Sequence, residues 1–423
     1  MEYRIFKNNI LKKLVLFVFV LLFSLLFAQE NEKNAEEFLF KFKFIDNDAY
    51  KVHSVVDENV YVNGKFHHKA QIINRIEVEV SDIETGDGDK TSSALFSCMF
   101  MTSEQNSNKT FDWSRNYPSV FKRDEAGFYS IGDEYFMPVV RNVPTFPKHP
   151  VKPGDTWTGE GFEAHDFRDA FGIEKPFTFP FKVEYQYIGI AEIDGQTYRH
   201  ITASYNLNHV VPQEVLKNYK GEIDVPIKIL GKSRQNLYWD EERGNLFCYN
   251  EEFSIKMLLY SGYTYSFIGN AKAEVIEIKK IDTATEEEIK KSVEDLNLEN
   301  TTIEKTDEGL TISIENIQFL PDSAILRETE KEKLKQIGEI LSKFPDREFL
   351  ISGHTALAGT EEERQALSEE RAAAVANYLI DLGVQKREHV YTRGFGARRP
   401  VAANNSPENM AKNRRVEITI LDK

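Results

Sequence analysis

Cysteine is nearly absent: two residues, Cys98 and Cys248, in a chain of 423. That is far below the density of a disulfide-stapled scaffold. No G-x-S-x-G, no H-E-x-x-H and no Cys-His arrangement occurs, so nucleophilic and zinc-dependent catalysis have no support. Prolines number 14 and glycines 23, which argues against extensive low-complexity sequence. Positive charge is in deficit, with 53 Lys+Arg against 68 Asp+Glu for a net −15. A binder that works by neutralising nucleic-acid phosphates is therefore not expected. Length alone suggests two or three domains.

One long apolar run exists, LVLFVFVLLFSLLF at residues 14–27. Arg4, Lys7, Lys12 and Lys13 precede it, and Ala28 then the polar Gln29-Glu30 follow. This is the order of a secretory signal peptide (residues 1–28) cleaved after Ala28, although Leu26 stands where a smaller residue is preferred. An uncleaved anchor is the alternative, but the run is short of the roughly 20 residues that span a bilayer. After cleavage no transmembrane span is expected. With no cysteine near the junction, a lipid-modified N-terminus is excluded. Export permits a Cys98–Cys248 disulfide, and two buried thiols fit the sequence equally well.

Residues 29–282 read as β-rich. RIEVEV at 75–80 alternates with the period of a half-buried strand, as does AKAEVIEI at 271–278. Asp194-Gly195 between two strand-like runs is a type I′ hairpin signal, and Gly244 marks another turn. The segment VPTFPKHPVKPGDTW carries prolines 144, 147, 150 and 153 and cannot be a paired central strand. It is an ordered surface loop or a sub-boundary near 141–155 between two β units. A sandwich or small barrel is expected. A transmembrane barrel is disfavoured, because strand lengths vary and the prolines break the rhythm such barrels keep.

From about residue 283 helices enter. ATEEEIKKSVEDL opens with Thr285 and Glu288 spaced as a capping box. TEKEKLKQIGEILSKF puts Leu334, Ile337, Leu341 and Phe344 on one helical face. A long helix, TEEERQALSEERAAAVANYLIDLG, stops at Gly383, and RRVEITI closes the chain as an alternating strand. The order is that of an α+β or α/β sheet domain.

The pieces NIQFLPDSAIL, ISGHT, LSEERAAAVANYL, GFGARRPVAAN and NRRVEI, in this order over about 140 residues (283–423), resemble the OmpA-like C-terminal domain that also occurs in the MotB and Pal families. The resemblance implies a non-enzymatic α/β sandwich that grips the diamino acid of the peptidoglycan stem peptide. In that family an aspartate directly after G-H-T takes the ammonium and the arginine of L-S-x-x-R-A takes a carboxylate. Both pairings are sound, since a guanidinium binds a carboxylate bidentately and a carboxylate accepts from an ammonium. The arginine carries over as Arg371, but the aspartate position holds Ala356. Two more departures surround the same pocket. Arg364 stands where asparagine is usual, and Asn409-Met410 replaces a common Gly-Arg pair. Losing one charged hydrogen-bond partner costs about 1.5–3 kcal/mol, or one to two decades of affinity. Thr355 and the run Glu361, Glu362 and Glu363 offer substitute acceptors. Altered or weakened wall binding and outright loss both remain open. The site candidates are Arg371, Ala356, Thr355, His354, Arg364, Asn413 and Arg414; His354 is read as structural, and Arg414-Arg415 as split between the rim and the core.

No cofactor is called for. His149, His165, Asp166 and Asp169 invite a metal, but none has an established ligand spacing. Gly394 and Gly396 in GFGARRP read as a turn, since no helix signal follows a phosphate-loop pattern there. The expected protein is a non-catalytic periplasmic envelope protein, outer-membrane associated, with peptidoglycan and other envelope proteins as partners. The alternative makes the β-rich region a lipid or glycan carrier, which an open pocket ringed by Tyr185, Tyr187, Tyr205 and Tyr238 would favour and a filled core would oppose.

Overall fold

The computed structural model describes residues 36–422, apart from 89, 114, 213–215, 217–223, 278–280 and 321–322. The signal-peptide segment 1–28 lies outside the described residues. The strands are β1 (Ala49–Val62), β2 (Lys65–Glu84), β3 (Ser93–Glu104), β4 (Phe111–Asp112), β5 (Arg115–Asp124), β6 (Tyr129–Ile131), β7 (Val140–Arg141), β8 (Thr156–His165), β9 (Phe177–Ile193), β10 (Gln196–Val210), β11 (Pro226–Asp240), β12 (Asn245–Leu259) and β13 (Thr264–Glu277). All but β4 form one twelve-stranded sheet, ordered β6-β5-β3-β2-β1-β13-β12-β11-β10-β9-β8-β7. Its two edges approach each other: the Tyr129 N–H donates to Asn142 Oδ1 at 2.8 Å and the Phe146 N–H to the Ala126 carbonyl at 2.9 Å. The sheet thus curls almost closed.

Strict alternation explains the curl. In β9 every second residue, Phe179, Phe181, Val183, Tyr185 and Tyr187, is buried while its neighbours face water. The inner face is filled. Tyr185, Tyr187 and Tyr205 pack with Phe181, Leu237 and Trp239, and the chain before β1 inserts Phe40 and Phe42 among them. Tyr238 points the other way and stacks on His200 at 5.0 Å. The outer face carries Lys182, Glu184, Arg234, Glu252 and Lys272, the reverse of a lipid-facing barrel band. The proline-rich segment is an ordered loop from β7 to β8 that buries Thr145 and Phe146. Strands on both sides of it belong to the same sheet. Asp194 and Gly195 take φ of 50° and 78°, as the hairpin requires. Both cysteines are free: Cys98 is buried in the inner core and Cys248 lies half-buried on the outer face.

The C-terminal part adds α1 (Thr283–Asp295), β14 (Thr301–Thr306), β15 (Gly309–Glu315), α2 (Glu328–Leu341), β16 (Phe349–Gly353), α3 (Glu361–Asp381), β17 (Val390–Gly394), α4 (Pro407–Asn413) and β18 (Arg415–Leu421). The cap of α1 differs from the expected box: the Asp282 side chain accepts from the Thr285 N–H, three residues earlier than Thr285 could. A full capping box occurs at α3 between Thr360 and Glu363. Leu334, Ile337 and Leu341 of α2 and Ala372, Val375, Ala376 and Leu379 of α3 bury against one face of the sheet.

That sheet is ordered β14-β15-β18-β16-β17-β4, so a strand from the N-terminal part completes it. β4 pairs parallel to β17, covering what would be an exposed edge. Ile73, Met101 and Phe111 from the N-terminal part share a core cluster with Leu350, Tyr391 and Leu421. Beside it Glu348, 4% exposed, binds Lys51 Nζ at 2.7 Å and Arg75 Nε at 2.8 Å. The Tyr391 hydroxyl donates to its other oxygen at 3.2 Å. Burial raises the Glu348 carboxyl, but Arg75, His389 and Lys51 more than reverse this and hold it well below the usual range. The two parts meet through a buried, charged joint.

Candidate functional site

β16 runs from the joint at Glu348 to the Gly353-His354-Thr355 turn at its far end. Gly353 is a packing requirement: a Cβ there would sit 2.0 Å from the Ser368 carbonyl oxygen, so α3 presses directly on the strand end. Ser368 is fully buried; its Oγ donates to the Gln365 carbonyl and accepts from the Gly396 N–H at 2.9 Å. Arg371 lies three residues on, and Arg364 two turns before Arg371, which places all three on the strand-facing side of α3.

Backbone bonds fix the turn. The His354 N–H donates to Arg415 O at 3.0 Å, Thr355 N–H to Gly396 O at 2.8 Å and Phe395 N–H to Gly353 O at 2.9 Å. His354 is 2% exposed, stacks on Phe395 at 5.0 Å and places Nε2 3.1 Å from Glu417. Burial pushes the imidazole below its ordinary value, with Glu417 opposing, so we take it as neutral at neutral pH. The Glu417 carboxyl, raised by burial, is brought down to about 2 by His354 and Arg415, whose Nε lies 2.7 Å away. Because a neutral His354 exerts little of that pull, Arg415 is the dependable cause.

Ala356 is 5% exposed, so its methyl occupies an enclosed position. Next to it the buried Thr355 Oγ1 has no hydrogen-bond partner among the described residues, and neither has His354 Nδ1. Arg364 turns a guanidinium N–H to the Gly359 carbonyl, on the loop that follows Ala356. Arg371 sits half-buried with its guanidinium 4.7 Å from the Phe319 ring centre. Of the acidic run, Glu363 is engaged by the Thr360 N–H, Glu361 lies 3.9 Å from Arg398, and all three side chains are exposed. Asn413, fully buried, is saturated: Oδ1 accepts from Val401 and Ala402, and Nδ2 donates to Ala402 O and Asn404 Oδ1. Asn404 Oδ1 in turn accepts from the Leu357 N–H at 3.1 Å. Asn413 therefore ties the 401–404 loop to the Ala356 turn. Arg414 is half-buried at the C-terminal cap of α4, while Arg415 is 4% exposed.

Ser368, Phe395, Asn404 and Glu417 complete this frame and did not stand out in the sequence, since each acts through a fold contact rather than a motif. The metal candidates do not assemble. His165 contacts Glu163 at 2.7 Å, Asp166 pairs with Arg168, Asp169 sits on the short helical turn Arg168–Phe171 and His149 lies on an exposed loop. His53, Glu348 and His389 do place three ligand atoms within 4.8 Å at the joint. Two cations already occupy that carboxylate, which disfavours a third charge of the same sign there.

The family model described as "OmpA family" matches residues 318–414. The chain is 40% identical over 104 residues to the peptidoglycan-binding protein ArfA of Mycobacterium tuberculosis, covering 25% of this chain and 32% of that protein. It is 34% identical over 105 residues to the probable lipoprotein YiaD of Escherichia coli, covering 25% and 48%. The chain thus spans less than half the length of these relatives. Among solved structures, an outer membrane protein from Borrelia burgdorferi is similar at 40% identity over 29% of this chain and 96% of that one (TM-score 0.24). The type VI secretion cell-wall anchor from Pseudomonas aeruginosa is similar at 29% over 31% and 93% (TM-score 0.27). Residues 318–414 carry an OmpA family domain, and the N-terminal sheet matches no family model.

Proposed function

We propose that this is a non-catalytic periplasmic envelope protein, associated with the outer membrane, whose OmpA-like domain from about residue 283 faces peptidoglycan through a retuned pocket. The observation that carries this reading is the pairing of Ala356, enclosed and uncharged, with an intact frame around it. Gly353 against Ser368, the Asn413 clamp and the Glu417–Arg415 support hold the Ala356 turn beside α3, so the backbone that would present a ligand site is in place. Arg371 takes a carboxylate of the stem peptide, and the Thr355 hydroxyl offers a neutral acceptor where the family places a charged one. A pocket with arginines and no acid beside Ala356 favours a carboxylate over an ammonium. The wall it suits therefore presents its amine less deeply, or in a shorter side chain. The role is structural: a wall contact rigidly fixed to a β-rich body that meets another envelope component. The carrier alternative is opposed by the filled interior around Tyr185, Tyr187 and Tyr205.

Sedimentation with purified peptidoglycan from the source organism, alongside a wall of different diamino acid, tests this. The chain from residue 29 should pellet with its own wall, Arg371→Ala should not, and Ala356→Asp should shift preference toward the other wall. Binding by Ala356→Asp alone would mean that the pocket has lost its ligand.

A further inference from the structure

The outward face of β10–β13 is unlike the rest of this acidic chain. From the cross-strand row Asn236–Asn250–Lys272 toward the hairpin end, that face carries Lys228, Lys232, Arg234, Lys256 and Lys272 against one carboxylate, Glu252. None of the five forms an ion pair among the described residues, even though Arg234 and Glu252 are direct cross-strand partners. Asp57 and Glu184 border the patch on neighbouring strands, with Lys69 and Lys182 alongside them. Part of the face is concave, a cleft of about 940 Å³ lined by Lys232, Arg234, Lys272, Glu252 and the carboxamides of Asn236 and Asn250. In a chain of net charge −15, five cations on one face, none ion-paired among the described residues and three of them lining the cleft, form a local reversal of sign.

The same end carries uncovered apolar side chains. The β12–β13 turn exposes Tyr260 (70%) and Tyr263 (52%), and the β1–β2 turn exposes Phe66 (57%). The two turns are joined, Asn63 N–H donating to Thr264 O at 2.8 Å and Thr264 N–H to Asn63 Oδ1 at 2.9 Å. Val210 at the end of β10 and Ile268 on the face beside it are exposed as well. Rigid turns tipped with aromatics, backed within one to four residues by lysines, match the layering of a bilayer surface. Aromatic rings lodge at the interface while cations meet anionic headgroups.

We propose that the β1–β2 and β12–β13 turns with the basic face of β10–β13 form a docking surface for an anionic phospholipid bilayer. The C-terminal domain sits on the outward face of β1–β3 at Lys51, His53 and Arg75, about 35 Å along β1 from Val62 at a strand rise of roughly 3.3 Å per residue. Wall-facing domain and membrane-facing turns are therefore held apart by one rigid body. The surface stands whether or not the Arg371 pocket binds peptidoglycan.

The chain from residue 29, which lacks the apolar leader but retains every described residue, is sedimented with phosphatidylcholine vesicles with and without phosphatidylglycerol. It should bind only the anionic vesicles, and less so as salt rises. Lys232→Gln/Lys256→Gln should weaken binding about 25-fold, roughly fivefold per charge near an anionic surface. Tyr260→Ser/Tyr263→Ser should weaken it about tenfold or more. All four sites are exposed, so melting temperatures should match the parent's. No binding to anionic vesicles, equal binding to neutral ones, or unchanged binding by both double variants overturns the proposal. Retention on dextran sulfate without vesicle binding would also overturn it, replacing the bilayer with a soluble polyanion.

Discussion

Glu348→Gln tests the joint between the two parts. The substitution keeps shape but removes the charge that compensates Lys51 and Arg75, which are 8% and 3% exposed. Removing one partner of a buried charge network costs about 3–5 kcal/mol, because the other charges stay desolvated. The structure favours the lower end. Arg75 keeps Glu77 at 2.6 Å, and Lys51, already pulled below its ordinary pKa by burial, can shed its proton. A loss of about 3 kcal/mol is therefore expected near neutral pH, shrinking as pH rises and Lys51 deprotonates more easily. Urea unfolding followed by the difference in fluorescence between the chain and its Trp113→Phe variant reads the joint, because Trp113 packs edge-on against Tyr391 at 5.1 Å with Arg75 over its ring, whereas Trp157 and Trp239 emit from the β-rich core. Lys51→Met/Arg75→Met/Glu348→Leu should recover part of the loss, since it removes the buried charges and leaves only the partly exposed Glu77 and the Tyr391 hydroxyl without these partners. A Glu348→Gln protein within 1 kcal/mol of the parent, or a triple variant no better than the single, would refute this account of the joint.

Acid should loosen the same region. Burial and the neighbouring His389 pull the His53 imidazole down to about 4, although Glu348 and Glu388 oppose the shift. The unfolded chain takes up this proton near pH 6.5, so the contribution is complete above that pH. It is lost as pH falls toward 4, about 3 kcal/mol in all; His53→Gln should flatten that part of a urea-midpoint profile. Gly353→Ala places a methyl against the Ser368 carbonyl and should cost about 2–3 kcal/mol in thermal unfolding while abolishing any wall binding; a near-neutral result would mean that α3 is not seated on β16. Thr355→Val removes a buried hydroxyl that has no hydrogen-bond partner among the described residues. It should leave stability unchanged or raise it by about 1 kcal/mol while weakening peptidoglycan sedimentation, whereas a loss of stability would show that the hydroxyl is satisfied inside the protein.

Much of the fold was legible. Alternation in β2, β9 and β13, the Asp194-Gly195 turn and the helix stop at Gly383 depend on neighbours in the chain, and those signals carried through. Exceptions mark where distant contacts override local pattern. The Thr285–Glu288 spacing mimics a capping box, but Asp282 supplies the cap because the chain entering α1 is already placed by its Ile281 N–H donating to Asp422. The prolines between 144 and 153 read as a break, and they are a break in pairing only; the sheet continues because its edges meet around that loop. Of the pocket, Arg371 and the enclosed Ala356 were visible as motif positions. Asn413 was visible as a residue, but its use as a clamp on residues 401–404 required the fold.

The sequence by itself determined the local elements, the OmpA-like segment and the missing carboxylate at Ala356, since each is written in spacing or identity at adjacent positions. The tertiary structure decided what those elements are attached to. Phe111 completing the C-terminal sheet, Glu348 binding Lys51 and Arg75 across nearly 300 residues of chain, and five cations gathered on β11–β13 are all products of strand register. Register is set by which apolar face finds the core, a global minimisation of exposed surface that no local window of sequence contains.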